Sequence, residues 1–250
     1  MYKKNLLWSL LFFIIHSACD KIKASIVLFE SCFSWNMSFV SSILAEEELA
    51  KLIILPIARE LGEVKNIISN KKHNYYKHPI KQKIFTTFWL QNRSFEEIET
   101  LKQKSLYVWI DKNLKSTWHQ IKPLQAKEEL QHAVNLLYYF SNKLVLNAEI
   151  DEKSKEIIRK TVYLTLELLN HRLLWIISIN DDLIKKQVEM MSSNTLHIDE
   201  DGTRIIMTDP FSIISLFKFC FRENYKNHLK NIGNLSYDEL CQYCLNSIKL

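Results

Sequence analysis

The fold of this chain is decided by residues 40–55, which read VSSILAEEELAKLIIL. Aliphatic residues recur there at three- and four-residue intervals, which is the spacing of an amphipathic helix. Successive helical residues lie about 100° apart. One apolar stripe of the helix consists of Val40, Ile43, Leu44, Glu47 and Lys51. The sequence therefore predicts that Glu47 and Lys51 face inward, with Glu48 projecting to one side.

Charged side chains on an apolar stripe need partners. Burying either Glu47 or Lys51 alone costs several kcal/mol, and their i,i+4 spacing lets them pair with each other. Two interpretations follow from this spacing. The two residues form a core ion pair or face a solvated groove, which is a structural role, or they line a pocket that holds a polar ligand or an RNA backbone.

Composition excludes several classes of protein. Hydrophobic residues make up 47% and charged residues 24% of the 250 residues, a globular balance. Three glycines are too few for doubly wound sheets or for Gly-rich nucleotide loops, so no cofactor is expected.

Cys241 and Cys244 lack the further ligands of a zinc site, so no metal is expected either. The formal charge of +5 helps approach to a polyanion without selecting nucleic acid.

Long helices with polar connections are predicted for most of the chain, which gives an all-α fold class. The predicted helices are 5–34, 37–61, 80–91, a short one opened by a capping box at Ser94, 125–148, 152–192, 210–231 and a last one from Ser236. The second helix should break or bend near Pro56, which lacks the amide that the preceding turn needs.

Short strands are predicted at two places. Residues 106–110 have the composition of an isolated strand. Residues 196–207 form a predicted small β-hairpin that turns at Asp201-Gly202. The hairpin is the best candidate for a domain boundary, which divides the chain into a helical domain, 1–192, and a C-terminal extension, 193–250.

The N-terminus allows two alternatives. Lys3 and Lys4 precede an apolar run, residues 6–15, and Cys19 follows it, an order that resembles a lipoprotein signal peptide. A lipoprotein site has an aliphatic residue three positions before the cysteine, whereas this chain has His16. The run is also too short to span a bilayer. The chain is either an exported protein lipid-anchored at Cys19, or a protein whose first helix begins here.

Several short motifs occur in the order found in one known family. Ala45-Glu-Glu-Glu-Leu-Ala-Lys51 is similar to the family's A-x-E-E-L-G-K signature, and His78-Pro-Ile-Lys81 is similar to its histidine–lysine element. The segment from residue 104 (KSLYVWID) to Pro123 is similar to its "LYVDY…W…P" segment. Over roughly residues 10–180 the chain thus resembles the AbiV-type abortive phage-infection proteins of the HEPN superfamily.

The resemblance implies a HEPN-like antiparallel four-helix bundle with extra C-terminal helices. It implies an antiviral, cytoplasmic protein that forms homodimers and acts by cleaving or binding RNA, or on a phage protein or the translation machinery. The binding residues it implies are Glu47, Glu48, Lys51, His78 and Lys81. The chain departs from the family at Ala50, where glycine is usual, and at Trp109, where aspartate is usual.

Many HEPN proteins are metal-independent ribonucleases with an R-x4–6-H motif. In such a site the histidine acts as acid or base on the 2′-hydroxyl, and the arginine stabilises the phosphorane charge. One stretch of this chain fits, Arg222-Glu-Asn-Tyr-Lys-Asn-His228, although it lies beyond the segment that resembles the family. Arg222 and His228 are therefore the predicted catalytic pair of an endoribonuclease. A second predicted RNA contact is the basic patch of residues 71–83, which contains His73, Tyr75 and Tyr76. The alternative is a non-catalytic helical binding protein.

Overall fold

The computed structural model describes residues 2–30, 34–69, 76–88, 95–106, 109–110, 116–117, 120–146, 150–173, 197–198, 205–206, 210–231, 239 and 242. The fold class of this part of the chain is all-α, as predicted. Its helices are α1 (Tyr2–Glu30), α2 (Trp35–Glu60), α3 (Val64–Ser69), α4 (His78–Phe88), α5 (Phe95–Leu106), α6 (Pro123–Leu146), α7 (Glu152–Leu173), α8 (Pro210–Phe221) and α9 (Tyr225–Lys230).

Serine side chains join α1 to α2. The Oγ of Ser25 donates or accepts hydrogen bonds at 2.9 Å from Ser38 Oγ and 2.8 Å from Ser42 Oγ, and all three residues are buried. Ser41 Oγ donates to the carbonyl of Lys21 at 2.9 Å. Small side chains let two helix backbones approach closely, and the hydroxyls satisfy one another, so the polar groups at this crossing are paired.

The sequence predicted a break or a bend of the second helix near Pro56, and the break is wrong because α2 is continuous through this residue. The missing amide removes one hydrogen bond, but buried residues on both sides of Pro56 hold the helix in place. The helix ends at a Schellman motif, in which Glu63 N donates to Ala58 O at 2.7 Å and Gly62 N to Arg59 O at 3.1 Å. Gly62 has a φ of 74°, a left-handed conformation that glycine adopts without strain.

Two other predictions differ from the structure. The structure has a short helix, α3, between the predicted helices 37–61 and 80–91, where the polar composition of residues 66–79 predicts a connection. The predicted helix 210–231 is interrupted: α8 ends at Phe221, a 3₁₀ turn covers Arg222–Asn224, and α9 begins at Tyr225. The end of the predicted helix 152–192 and the predicted helix from Ser236 lie largely outside the described residues.

The strands are two residues long. Trp109–Ile110 pairs antiparallel with Ser116–Thr117, so the strand predicted at 106–110 is shorter and is not isolated, and Leu106 is the last residue of α5. His197–Ile198 pairs antiparallel with Ile205–Ile206. The residues between these two strands, with the predicted turn at Asp201-Gly202, are outside the described part of the chain.

The chain forms two compact units that share α2. Unit 1 consists of Met1–Leu49 and Glu96–Ile184, and unit 2 consists of Ala50–Phe95 and Lys185–Leu250. This grouping differs from the predicted domains because residues 50–95 belong with the C-terminal residues. The predicted boundary itself, between residues 192 and 193, falls among residues that are not described, and it stays a prediction.

The core of unit 1 includes the inner face of α1. That helix packs against α6 and α7, and its buried residues include Leu11, Ile15 and Cys19. Burial raises the pKa of the Cys19 thiol, and a hydrogen bond with Thr165 of α7 opposes this effect. None of the described helices is both long enough and apolar enough to cross a membrane.

Candidate functional site

Three successive glutamates of α2, Glu46, Glu47 and Glu48, each meet a different helix of unit 1. Successive helical residues point about 100° apart, so three carboxylates in a row reach three sides of the helix. Their partners are, in order, His132 of α6, Lys102 of α5 and Lys21 of α1. The first half of α2 therefore has a basic side chain on each of three neighbouring helices.

Glu47 is the most deeply buried of the three, with 1% of its surface exposed, which confirms the prediction that it faces inward. Its Oε1 accepts a hydrogen bond of 2.9 Å from Lys102 Nζ. Lys102 Nζ also lies 2.6 Å from Oε2 of Glu99, one turn earlier on α5. A buried carboxylate is tolerated where a hydrogen-bonded cation compensates its lost hydration. The ammonium of Lys102 is that cation.

Glu46 holds a histidine. Its Oε1 lies 2.6 Å from Nδ1 of His132, at hydrogen-bond distance. The carboxylate is nearly buried, whereas 27% of the His132 side chain is exposed. A carboxylate on one ring nitrogen fixes the orientation and tautomer of an imidazole. The pair is therefore a polar connection between α2 and α6 that extends from the core to the surface.

The other two predicted residues of the signature are less buried. Glu48 lies 3.9 Å from Lys21 Nζ, at the outer limit of an ion pair. Lys51 is partly buried and belongs to the half of α2 that lies in unit 2.

The histidine–lysine element opens α4 in unit 2. His78 is its first residue and is exposed. Lys81, one turn later, is 3% exposed, so it is packed inside the unit. His78 is therefore accessible to a macromolecule, whereas Lys81 is enclosed by protein. The first five residues of the predicted basic patch, 71–75, which include His73 and Tyr75, lie outside the described residues.

Arg222 occupies an unusual place in the backbone. It begins the 3₁₀ turn between α8 and α9 with a φ of 44°, and it is the one non-glycine residue with a positive φ among those that the structure describes. This left-handed conformation is unfavourable for a residue with a Cβ atom. The side chain is exposed, and its guanidinium makes no hydrogen bond or ion pair with the described residues.

His228 is brought back toward this turn by an aromatic contact. Its ring stacks on Phe221, with centroids 3.8 Å apart and an interplanar angle of 14°. Phe221 is buried and directly precedes Arg222 in the chain. The stacking therefore fixes the His228 ring beside the residue next to Arg222. The two predicted catalytic residues therefore lie in successive elements of unit 2, Arg222 in the 3₁₀ turn and His228 in α9, and Phe221 connects them.

The same turn is tied to the end of α2. Glu60 Oε1 accepts hydrogen bonds of 2.8 Å from Lys218 Nζ and from Tyr225 Oη. These bonds, first that of Lys218 and then that of Tyr225, lower the pKa of the Glu60 carboxyl. The hydrogen bond to Glu60 raises the pKa of Lys218 and of Tyr225. At the C-terminal end of α9, Lys230 Nζ lies 3.9 Å from Glu63 Oε1.

Two residues of these networks, Lys102 and His132, were not predicted. Each lies on an otherwise ordinary amphipathic helix, far along the chain from the glutamate that it contacts. The sequence feature that indicates such residues is the glutamate triplet, because its two buried carboxylates need basic partners. Which lysine or histidine supplies each one depends on helix packing. Among the described residues, no group of three His, Cys, Asp or Glu side chains is arranged to hold a metal ion.

The first half of α2 and the turn at Arg222 are thus the two places where polar chemistry is concentrated in the described part of the chain. Comparison of the chain with protein-family models, with curated proteins and with solved structures gives no match. The relation to AbiV-type proteins therefore rests on the quoted motifs, and the function has to be argued from the residues.

Proposed function

We propose that this chain is an abortive-infection antiviral protein that acts on RNA in the infected cell. The observation that carries the proposal is the turn of unit 2 where Arg222 is exposed without a partner among the described residues and the His228 ring is stacked on Phe221. A cation and an imidazole held at one turn are the groups that metal-independent cleavage of a phosphodiester requires.

The chemistry assigned to this pair is an internal transesterification. His228 accepts the proton of a ribose 2′-hydroxyl, and the 2′-oxygen forms a bond to the adjacent phosphorus. Arg222 stabilises the negative charge that develops on the phosphorane oxygens. The bond to the 5′-oxygen then breaks, and that oxygen takes the proton back from the imidazolium. The products are a 2′,3′-cyclic phosphate and a free 5′-hydroxyl, and no metal ion takes part.

The acidic signature of α2 has a supporting role in this proposal. Glu46 and Glu47 bind side chains of α6 and α5, so they hold unit 1 together rather than contact RNA. We further propose that unit 1 corresponds to the HEPN-like four-helix bundle, that the strand pair at 197–206 belongs to a hairpin, and that two copies assemble into a dimer in the cytoplasm. His78, exposed on α4, is a secondary RNA contact.

The test combines protection against phage with RNA cleavage. Cells expressing the wild-type chain are expected to reduce the plating efficiency of at least one phage of a broad panel, and the purified chain should cleave single-stranded RNA to cyclic-phosphate ends. His228→Asn should lose both activities while keeping the circular dichroism spectrum of the wild type. His16→Asn, which changes an exposed histidine on α1, is the matched control and should keep both.

Two results would contradict parts of the proposal. If the well-expressed wild type neither protects cells nor cleaves RNA, the proposed function is wrong. If His228→Asn protects and cleaves like the wild type, the chemistry lies elsewhere. Protection that survives the loss of cleavage would instead favour the alternative, a binding protein that acts without catalysis on a phage protein or on the translation machinery.

A further inference from the structure

We propose that the turn between α8 and α9 is a phosphate-binding site for single-stranded RNA, formed by Arg222 and Lys226 and restrained by Glu60. This inference deepens the proposed function and rests on it, since it assigns the surface by which unit 2 would hold the RNA. It assigns a binding role to Lys226 and a regulatory role to Glu60.

Four cations recur at every fourth residue along this segment. They are Lys218, Arg222, Lys226 and Lys230, and all four are exposed. We call these four residues the basic ridge. The left-handed residue at Arg222 interrupts the helix, so the interval does not by itself place all four on one side. Lys218 and Lys226 are brought to the same place by the Tyr225 ring, which both Nζ atoms approach. The interval alone is also common on solvated helices, so further observations are needed.

The first such observation is the arrangement of charges within the ridge. Its two ends are neutralised, since Lys218 pairs with Glu60 at 2.8 Å and Lys230 lies 3.9 Å from Glu63. Its two middle cations make no ion pair with a described carboxylate. Lys226 Nζ lies 6.0 Å from the centroid of the Tyr225 ring. The uncompensated positive charge is therefore concentrated at Arg222 and Lys226.

The second observation is the backbone at Arg222. A left-handed conformation at a residue other than glycine, asparagine or aspartate is unfavourable, and such outliers cluster at ligand-binding sites. Here the conformation places an exposed guanidinium on the turn. Arginine also presents a planar set of donors that matches the two non-bridging oxygens of a phosphate.

The third observation is the aromatic content of the same surface. Lys218 and Lys226 flank the Tyr225 ring, with Nζ-to-centroid distances of 5.3 Å and 6.0 Å, and the His228 ring is stacked beside them on Phe221. Cations interleaved with aromatic rings are typical of surfaces that bind single strands, because unstacked bases pack on rings while phosphates contact the cations. Double-stranded RNA offers no unstacked base to such rings. The geometry points to a single strand.

Glu60 gives the site a specific test. Its carboxylate binds Lys218 and Tyr225 at 2.8 Å, so it competes with an incoming phosphate for the cation at one end of the ridge. Removing this charge frees Lys218 for the ligand. Glu60→Gln should therefore bind RNA more tightly than the wild type, although the substitution removes an interaction from the folded protein.

The experiment measures binding of a fluorescein-labelled single-stranded RNA of roughly ten nucleotides to the full-length chain by fluorescence anisotropy, at several salt concentrations. Lys226→Gln and Arg222→Gln should each weaken binding and reduce the slope of log Kd against log salt by about 0.7, the value for one lost phosphate contact on a single strand. Glu60→Gln should steepen the slope. Lys153→Gln, at an exposed lysine of α7 in unit 1, is the matched control and should change neither quantity.

The outcomes separate this inference from the proposed function. If the wild type binds RNA but the Lys226 and Arg222 variants bind equally well with the same salt slope, the ridge assignment is wrong, whatever the phage assay gives. Preference for duplex RNA of the same sequence, or for vesicles of phosphatidylcholine and phosphatidylglycerol, would also overturn it. A different outcome is also informative. If the chain binds RNA through the ridge but gives no phage protection, the inference is supported and only the proposed function is contradicted.

Discussion

Arg222 shows how one residue can be unfavourable for folding and still be retained. Its left-handed backbone costs about 1 to 2 kcal/mol relative to an ordinary helical conformation. No described residue compensates this cost, because the guanidinium is exposed and makes no polar contact there. The proposed role of Arg222 in binding phosphate gives this unfavourable conformation a function.

The first prediction concerns this residue. Arg222→Gly relieves the left-handed strain, which outweighs the greater entropy of glycine in the unfolded chain. We therefore expect the free energy of unfolding to rise by about 0.5 to 1 kcal/mol, while the proposed RNA binding weakens and the proposed cleavage is lost. Urea unfolding followed by circular dichroism measures the first effect. Arg159→Gly, in the regular helix α7, is the control and should lower stability by about 1 kcal/mol. A loss of stability in Arg222→Gly as large as the control's would contradict the strain argument.

A second prediction concerns the buried network of Glu47. Lys102→Met leaves two carboxylates, Glu47 and Glu99, without their shared cation, so it should cost about 3 to 5 kcal/mol. The double variant Glu47→Leu/Lys102→Met should recover most of this loss, because the buried charge is removed together with its partner. Lys104→Met, at an exposed lysine of the same helix, should change stability by less than about 0.5 kcal/mol. Equal effects of Lys102→Met and Lys104→Met would show that the network is not what holds α5 to α2.

At the scale of elements, α2 organises the molecule. Its first half meets α1 through serine hydroxyls and α5 and α6 through glutamates. Its C-terminal end meets α8 and α9 through Glu60 and Glu63. The first set of contacts is buried, and the second is partly exposed to solvent. Exposed ion pairs contribute little to stability and are weakened by salt and by protonation. The contacts at the end of α2 are therefore the ones that solution conditions can change.

The third prediction concerns the pH dependence of these contacts. The pKa of Glu60 is lowered in the folded protein by hydrogen bonds from Lys218 and Tyr225. A lowered folded-state pKa contributes stability that is present above the ordinary pKa of about 4.3 and is lost as the pH falls through the folded-state value. The urea midpoint of the wild type should thus exceed that of Glu60→Gln at pH 7, and the difference should shrink as the pH falls below about 4.3 and disappear once the pH is below the lowered folded-state pKa. The matched control is Glu223→Gln, at an exposed glutamate of the 3₁₀ turn, which should follow the wild type. A difference that persists unchanged in acid would rule out the charge of Glu60 as its cause.

At the scale of the whole molecule, α1 belongs to the core of unit 1. Leu11, Ile14, Ile15 and Ala18 precede Cys19 and are buried, as is Cys19 itself. Removing them would expose the apolar surfaces of α6 and α7 that they cover. These residues and Cys19 are therefore part of the core of unit 1.

The fourth prediction follows from this burial. Intact-mass measurement of the purified chain should give about 29.7 kDa, the mass of all 250 residues. Of the two described cysteines, iodoacetamide should label the partly exposed Cys220 in the folded protein, and Cys19 only when the protein unfolds. A mature chain that begins at Cys19 and carries added lipid would establish the exported alternative. A Cys19→Ala variant, expressed in parallel, would show whether any such processing depends on the thiol.

The sequence was sufficient where the physics is local. Periodic aliphatic residues predicted the helices, and the stripe of α2 predicted that Glu47 faces inward. The sequence did not predict that α2 continues through Pro56. The proline removes one backbone hydrogen bond, but packing of the buried residues around it keeps the helix continuous.

Tertiary structure alone decided which groups meet. Glu47 binds Lys102, 55 residues away, and Glu46 contacts His132, 86 residues away, and neither distance is encoded in a local pattern. It also decided that Lys81 is enclosed while His78 is exposed, and that the C-terminal helix is interrupted at Arg222. The physical reason is that helix formation depends on neighbours within a few residues, whereas the partner of a buried charge depends on how whole helices pack.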